Sequence, residues 1–153
     1  KDGKIYASDS GLKGTAGNLQ PTGTDAVWVI DHGKAKALAK GKDLSNPNGL
    51  LWTDRGLVVV AGSGEIYLLD AQGKKQATTK LPKGSLDGVV AVGESIVTSS
   101  WEASAIFRGT LGGTFQIVLS DLKAPADIGY DGKRGRLLVP RFLDDAVEVY
   151  ELK

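Results

Sequence analysis

Two short motifs place oxygen-bearing side chains at matching points of a repeat. Asn48-Gly49-Leu50 recurs 39 residues later as Asp87-Gly88-Val89, and Ala126-Asp127-Ile128 begins a further 39 residues along the chain. The amide oxygen of Asn48 and the carboxylate of Asp87 are ligands suited to a hard cation such as Ca²⁺ or Mg²⁺. The alternative is that each pair forms an Asx-Gly turn before a strand. The residue types alone leave both interpretations open.

The composition excludes several other kinds of site. The chain contains no cysteine, which removes disulfides, thiolate metal sites and thiol nucleophiles, and its single histidine is His32. Gly62-Ser63-Gly64 lacks the residues of a nucleophile elbow, so a serine hydrolase is not indicated. The sequence also has no phosphate-binding loop or dinucleotide motif.

The charge balance and the apolar runs exclude two kinds of partner. Nineteen lysines and arginines against eighteen acidic residues give a net charge of +1, which leaves no excess positive charge to follow a nucleic acid backbone. The longest apolar runs, such as Leu57 to Ala61, fall far short of the roughly 18 residues that span a bilayer. We therefore expect neither a nucleic acid nor a membrane as partner.

A repeat of 39 residues predicts the architecture. Val27-Trp-Val-Ile-Asp31 aligns with Ile66-Tyr-Leu-Leu-Asp70 and then with Ala105-Ile-Phe-Arg-Gly109, each 39 residues after the one before. Short β-rich runs lie between glycine-rich turns, and periods near 40 with four short strands are typical of β-propeller blades. The segment 34–42 has too narrow an apolar stripe to dock as a helix. We therefore predict an all-β propeller of four-stranded antiparallel blades.

The blades divide the chain into four parts. We expect a partial blade at 1–44, blades at 45–84 and 85–122, and a second partial blade at 123–153. The innermost strands of the two full blades are predicted at Leu50 to Thr53 and Val89 to Val92, and a long Gly/Thr-rich loop at Asp9 to Asp25. About three and a half blades are fewer than the usual four to eight. Since the chain has no methionine and opens inside a blade, we expect a missing N-terminal half, or a second copy of the chain, to complete the ring.

Antiparallel strand order predicts which residues share one end of the channel. The start of each innermost strand lies on the same face as the loop between the second and third strands. This face is predicted to hold Asn48 and Asp87 and five further candidates for the substrate mouth: Asp127, Trp101, Glu102, Arg141 and Asp9. For Trp101 and Arg141 the alternative is packing and pairing between neighbouring blades. His32 falls in a tight turn on the opposite face, where an exposed turn residue is expected.

Several motifs together resemble a known family. Asn46-Pro47-Asn48-Gly49-Leu50, Leu86-Asp87-Gly88-Val89 and Pro125-Ala-Asp-Ile-Gly-Tyr-Asp131 are similar to the C-terminal half of the regucalcin (senescence marker protein)/gluconolactonase-like six-bladed propellers. The loop at Gly23 to Ala26 and the ending Phe142 to Tyr150 are similar to the bacterial exported branch of that family. The resemblance covers nearly the whole chain. It implies a periplasmic or secreted protein, and a cytoplasmic one stays open.

The resemblance implies an activity and a metal. Members of the family hydrolyse sugar lactones or related esters with one divalent cation in the channel mouth, and the matching positions make Asn48 and Asp87 its ligands and Asp87 the catalytic base. Ca²⁺ is the expected ion, with Zn²⁺, Mg²⁺ or Mn²⁺ as alternatives. The family's other two ligands belong to earlier blades, so this half alone should hold the ion weakly. Because one fold hosts many functions, a non-catalytic propeller that binds a partner protein or small ligand stays open.

Overall fold

A computed structural model describes residues 1–15 and 18–152, and its strands follow the predicted repeat. Within these residues the strands are β1 (Ile5–Asp9), β2 (Leu12–Thr15), β3 (Asn18–Pro21), β4 (Ala26–Asp31), β5 (Lys34–Lys40), β6 (Pro47–Thr53), β7 (Gly56–Ala61), β8 (Glu65–Leu69), β9 (Lys75–Lys80), β10 (Leu86–Val92), β11 (Ser95–Ser100), β12 (Ala105–Gly109), β13 (Phe115–Leu119), β14 (Gly129–Asp131), β15 (Arg136–Arg141) and β16 (Ala146–Glu151). Two short 3₁₀ turns lie at Lys42–Leu44 and Phe142–Asp144. No helix among the described residues has the length and apolar character needed to cross a membrane.

The strands form a series of antiparallel sheets in chain order. Two sheets have four strands, in the orders β6-β7-β8-β9 and β10-β11-β12-β13, and they lie inside segments 45–84 and 85–122. The sheets at the two ends have three strands, β1-β4-β5 and β14-β15-β16. The first strands of neighbouring sheets pack against each other, β1 on β6, β6 on β10 and β10 on β14. The all-β class and the four-stranded antiparallel blades are therefore confirmed.

The predicted loop at Asp9 to Asp25 is wrong for most of its length. It contains a hairpin in which β2 pairs with β3, from Leu12 opposite Pro21 to Thr15 opposite Asn18. Ala16 and Gly17 of the predicted loop lie outside the described residues. All eight strand residues of the hairpin are exposed, so it lacks the buried face that gives a strand its alternating apolar pattern. Its strands therefore carry no hydrophobic signal in the sequence.

Three apolar cores lie between successive sheets and hold the blades together. The core between the β6–β9 and β10–β13 sheets joins Val60, Ile66 and Leu68 of one blade to Val89 and Phe107 of the next. Two similar cores lie on either side of it. Each sheet thus buries its apolar side chains only against its neighbours, which is the physical reason for the repeat. These cores fix the positions of the innermost strands relative to one another.

The innermost strands begin earlier than predicted, and this matters for the site. β6 begins at Pro47 and β10 at Leu86, so the Asn48-Gly49 and Asp87-Gly88 pairs lie inside strands. The pairing register shifts between Pro47 and Leu50 and again between Leu86 and Val89, which marks a β-bulge at each pair. Neither glycine has the left-handed φ of an Asx-Gly turn. The turn interpretation is therefore wrong, and a bulge is a common means of redirecting a side chain.

Glycine is required at these bulges because the neighbouring blade comes very close. A Cβ on Gly49 would lie 2.3 Å from the backbone oxygen of Asp87, and one on Gly88 would lie 2.2 Å from the backbone nitrogen of Ile128. Both distances are far below van der Waals contact. The glycines therefore let each innermost strand approach the next one, which brings Asn48 close to Asp87 and Asp87 close to Asp127.

This close approach gives a prediction for Gly49→Ala. The added methyl group must push the β6 and β10 strands apart, and such overpacking costs about 1–3 kcal/mol in the free energy of unfolding. Gly132→Ala is the matched control, since its Cβ would meet nothing nearer than a Tyr130 ring carbon at 3.7 Å. Thermal and urea unfolding of both variants would measure the difference. An unchanged midpoint for Gly49→Ala would contradict the close approach.

Candidate functional site

The two motifs meet at the end of the channel where the innermost strands begin. Asn48 donates from Nδ2 to Oδ1 of Asp87 at 3.2 Å and to the backbone oxygen of Leu86 at 3.3 Å. Trp101, which follows β11, donates from its indole Nε1 to Oδ2 of Asp87 at 2.8 Å. Each oxygen of the Asp87 carboxylate thus accepts a hydrogen bond from a neutral N–H group. The structure therefore brings together three of the residues predicted for this face.

The carboxylate of Asp87 lies in an environment that disfavours its charge. Burial raises its pKa, and the negative charge of Asp127 raises it too, while the hydrogen bonds from Trp101 and Asn48 lower it; the net result is a raised pKa. Both donors are uncharged, so the hydrogen bonds do not neutralise the two carboxylates. A bound cation would supply the missing positive charge.

Two cavities adjoin the Asn48–Asp87 pair. One, of about 400 Å³, lies on the channel side and is lined in part by Ser8, Asn48, Asp87 and Asp127. The other, of about 230 Å³, lies beside Trp101 and also includes Asn48 and Asp87 in its walls. Asp127 itself is exposed and lies outside a strand. A small molecule or ion could therefore reach the pair from either side.

The donor set has the chemistry of a hard-cation site. Asn48 uses Nδ2 in its two hydrogen bonds, which leaves its amide oxygen to act as a ligand. Asp87 and Asp127 add carboxylate oxygens, and Ca²⁺ and Mg²⁺ prefer such ligands. No group of three or more histidine, cysteine, aspartate or glutamate side chains suited to a metal occurs among residues 1–15 and 18–152. The residues fit a divalent cation that takes its remaining ligands from elsewhere.

Buried hydroxyl groups on β11 support the bulge at Asp87. Ser99 accepts a hydrogen bond on Oγ from the backbone N–H of Gly88 at 2.9 Å, and it donates to the backbone oxygen of Ala126 at 2.8 Å. Thr98 donates from Oγ1 to the backbone oxygen of Gly88 at 2.8 Å. Both side chains are fully buried. They supply the hydrogen-bond partners that the backbone N–H and C=O of Gly88 lose where the bulge interrupts the strand pairing.

Thr98 and Ser99 were not predicted as part of the site, although the sequence contains a signal for them. The matching positions one blade earlier are Val59 and Val60, which are apolar and buried. Polar side chains at positions that are apolar in a neighbouring repeat indicate a local demand for hydrogen bonds. Ser99 joins the Asp87 bulge to the segment that precedes Asp127.

Two further mouth candidates, Glu102 and Asp9, accept hydrogen bonds from backbone N–H groups away from the Asn48–Asp87 pair. Glu102 accepts a hydrogen bond from the backbone N–H of Gly84 at 2.6 Å and forms an ion pair with Lys83 at 3.4 Å. The backbone hydrogen bond is the main cause of the lowered pKa of Glu102, which burial opposes. Asp9 accepts a hydrogen bond on Oδ1 from the N–H of Gly11 at 2.9 Å. Neither carboxylate contacts Asn48 or Asp87, so their roles at the mouth stay predictions.

Arg141 forms a network within the last sheet. Its guanidinium pairs with Asp144 at 2.5 Å and with Glu148 at 2.7 Å. The hydrogen bond to Glu148 is the main cause of the raised pKa of Arg141. These contacts lie within the blade of Arg141 and not between neighbouring blades, so both its pairing between blades and its role at the mouth stay predictions. His32 lies in the β4–β5 turn with its side chain 96% exposed, where a turn residue was expected.

Comparisons with known proteins support the fold and leave the family unassigned. No protein-family model matches the chain, and no curated protein matches it. A chain in the crystal structure of a nidogen/laminin complex is similar at a TM-score of 0.71 and 17% identity, over 96% of this chain and 56% of that one. A chain of the mitotic checkpoint complex is similar at a TM-score of 0.67 and 15% identity, over 82% of this chain and 40% of that one. The computationally designed Ika4 protein is similar at a TM-score of 0.60 and 13% identity, over 96% of this chain and 92% of that one.

These similarities establish a β-propeller-like fold. The identities are too low to transfer a function. The chain spans about half the length of the natural chains it matches, 56% and 40% of them. The predicted resemblance to the regucalcin/gluconolactonase-like family finds support only at the level of the propeller fold.

Proposed function

We propose that this face of the propeller binds a divalent cation through Asn48 and Asp87 and, in a complete ring, hydrolyses a lactone or related ester. One observation carries the proposal. The partly buried carboxylate of Asp87 is held by two neutral N–H donors beside the second negative charge of Asp127, and it faces an open cavity. Such an arrangement costs free energy unless a positive charge occupies it, and costly arrangements of this kind are concentrated at functional sites.

The side chains divide the chemistry between them. A bound cation would polarise the carbonyl group of the substrate. Asn48 offers a neutral ligand oxygen, and Asp87 offers a ligand and a base whose raised pKa favours proton uptake. Asp87 would take a proton from the attacking water, whose oxygen bonds to the carbonyl carbon, and the ester C–O bond then breaks. The proton passes to the departing alkoxide, so that an acid and an alcohol are formed.

A second candidate is binding without catalysis. The rim of the same face carries Phe142 and Leu143, which are 63% and 68% exposed, and the ring of Phe142 lies 5.2 Å from that of Trp101. Exposed apolar side chains beside a cavity are typical of surfaces that bind a partner. Two of the similar solved chains come from a nidogen/laminin complex and a mitotic checkpoint complex. The exposed apolar pair, and not these similarities, is the observation that supports binding of a partner protein.

The test uses the protein at its natural length. We expect calorimetry to detect Ca²⁺ binding to the chelator-treated protein, and hydrolysis of at least one member of a lactone panel that chelator stops and Ca²⁺ restores. Cation binding without hydrolysis across the panel would favour the binding candidate. Absence of binding for Ca²⁺, Mg²⁺, Mn²⁺ and Zn²⁺ would contradict the site itself.

A further inference from the structure

Trp101 occupies a backbone position that does not need a tryptophan. Its N–H donates to the backbone oxygen of Ser85 at 3.1 Å. The same bond across the start of the innermost strand is made by Gly62 in the preceding blade, at 2.8 Å, and by Phe142 in the following one, at 3.1 Å. Since glycine and phenylalanine make the same backbone hydrogen bond at this position, the backbone does not explain the tryptophan. Its explanation must lie in what the indole side chain contacts.

The side chain of Trp101 is aimed at one atom of the site. Its Nε1 donates to Oδ2 of Asp87 at 2.8 Å, and its ring packs against the ring of Phe142 with centroids 5.2 Å apart. The indole is partly buried, so its orientation is set by packing as well as by this hydrogen bond. Asn48 supplies the donor to Oδ1, and together the two bonds oppose rotation of the carboxylate about its Cβ–Cγ bond.

We propose that Trp101 is a positioning residue, whose indole N–H holds the Asp87 carboxylate in the orientation that binds the cation. The inference rests on the proposed cation site. An ionised carboxylate has about four lone-pair positions, so the two N–H donors leave others for the ion. Residues that hold a metal ligand in this way typically change metal affinity by about 10–100-fold when they are replaced. In this role Trp101 acts on the ion through Asp87 and not as a ligand.

The experiment compares two tryptophan substitutions in the natural-length protein. Trp101→Phe keeps an aromatic ring but removes the donor, and phenylalanine already occupies the matching position in the following blade. We expect its Ca²⁺ affinity by calorimetry to fall about 10-fold. Trp52→Phe is the matched control, since the indole N–H of Trp52 is buried and has no hydrogen-bond partner among the described residues. It should leave Ca²⁺ affinity unchanged.

A second variant and a second probe separate the possible causes. Phe142→Leu keeps the indole N–H but removes the ring that packs against it, so we expect a smaller loss of affinity than for Trp101→Phe. Tb³⁺ bound at Asp87 would lie close to the indole, so excitation of tryptophan should produce Tb³⁺ emission in the wild type and in Trp52→Phe, and much less in Trp101→Phe. Thermal unfolding of each variant without metal checks that the fold is retained.

The outcomes for the two proposals differ. If the wild type binds Ca²⁺ and Trp101→Phe binds it equally well, the role of Trp101 is overturned and the cation site stands. If the wild type binds neither Ca²⁺ nor Tb³⁺, both are overturned. A 10-fold loss in Trp101→Phe with an unchanged unfolding midpoint, beside an unaltered Trp52→Phe, supports the role.

Discussion

Asp87→Asn is expected to remove cation binding and hydrolysis while leaving the fold as stable as before or more stable. The substitution keeps the size of the side chain and removes its charge. Affinity for Ca²⁺ depends strongly on the number of carboxylate ligands, so we expect at least a ~100-fold loss. The loss of the base should lower kcat/KM by about 10²–10⁴-fold.

The free energy of unfolding in chelator is not expected to fall with the affinity and activity of Asp87→Asn, because the charge of Asp87 is itself unfavourable in the folded state. Burial and the charge of Asp127 both raise the pKa of Asp87, which means that the folded state is penalised for holding this charge at neutral pH. Replacing it with a neutral amide removes that penalty. The amide has only one acceptor oxygen, which can keep the hydrogen bond from Trp101, while the Asn48 amide can turn by 180° so that its oxygen accepts from the new NH₂ group. In chelator the unfolding midpoint of Asp87→Asn should therefore equal or exceed that of the wild type. Added Ca²⁺ should raise the midpoint of the wild type and leave that of the variant unchanged.

Asp54→Asn is the control for this pair of measurements. Asp54 is exposed in the turn between β6 and β7, at the other end of both strands from Asn48. The same chemical change there should alter neither Ca²⁺ affinity nor the unfolding midpoint. If Asp87→Asn keeps its affinity and activity, the assignment of Asp87 is wrong. If Asp87→Asn loses stability in chelator, the fold compensates the charge of Asp87, and that charge does not lower the free energy of unfolding of the wild type.

The sequence predicted the blades because each repeat has to bury its faces against its neighbours. Ile66 and Ala105 lie at matching points of successive repeats and are both fully buried, so the 39-residue period is a direct consequence of packing. The placement of Asn48, Asp87 and Trp101 on one face followed from strand direction alone. These features depend on patterns that recur along the chain, and a single sequence contains them.

The bulges could not be predicted in this way. Asn-Gly and Asp-Gly are compatible with a turn or with a bulge. The backbone of the next blade, 38 residues after Gly49 and 40 after Gly88, decides between them because it leaves no room for a Cβ. The hairpin of β2 and β3 escaped prediction because its residues are exposed and show no apolar alternation. The partners of Glu102 and Arg141 depend on the conformations of their loops, which charge patterns alone do not specify.

Phe107→Ala is expected to have the largest effect on stability among the substitutions proposed here. Phe107 lies on β12, is only 2% exposed and belongs to the core between the sheets that carry Asn48 and Asp87. Truncating a buried phenylalanine typically costs about 3–5 kcal/mol, because apolar contacts are lost and a cavity remains. The total free energy of unfolding of a natural domain is only about 5–15 kcal/mol. We therefore expect a large drop in the urea midpoint and in Tm.

The same substitution at Phe142 separates the role of the core from that of the residue type. Phe142 is 63% exposed and its ring contacts Trp101, so Phe142→Ala should cost no more than about 1 kcal/mol. If the two variants lose equal stability, the blades are not held together by the core between them. If Phe107→Ala alone is strongly destabilised, that core fixes the spacing of β6 and β10. The distance between Asn48 and Asp87, and with it any affinity for a cation, then depends on apolar packing in the blades behind the site.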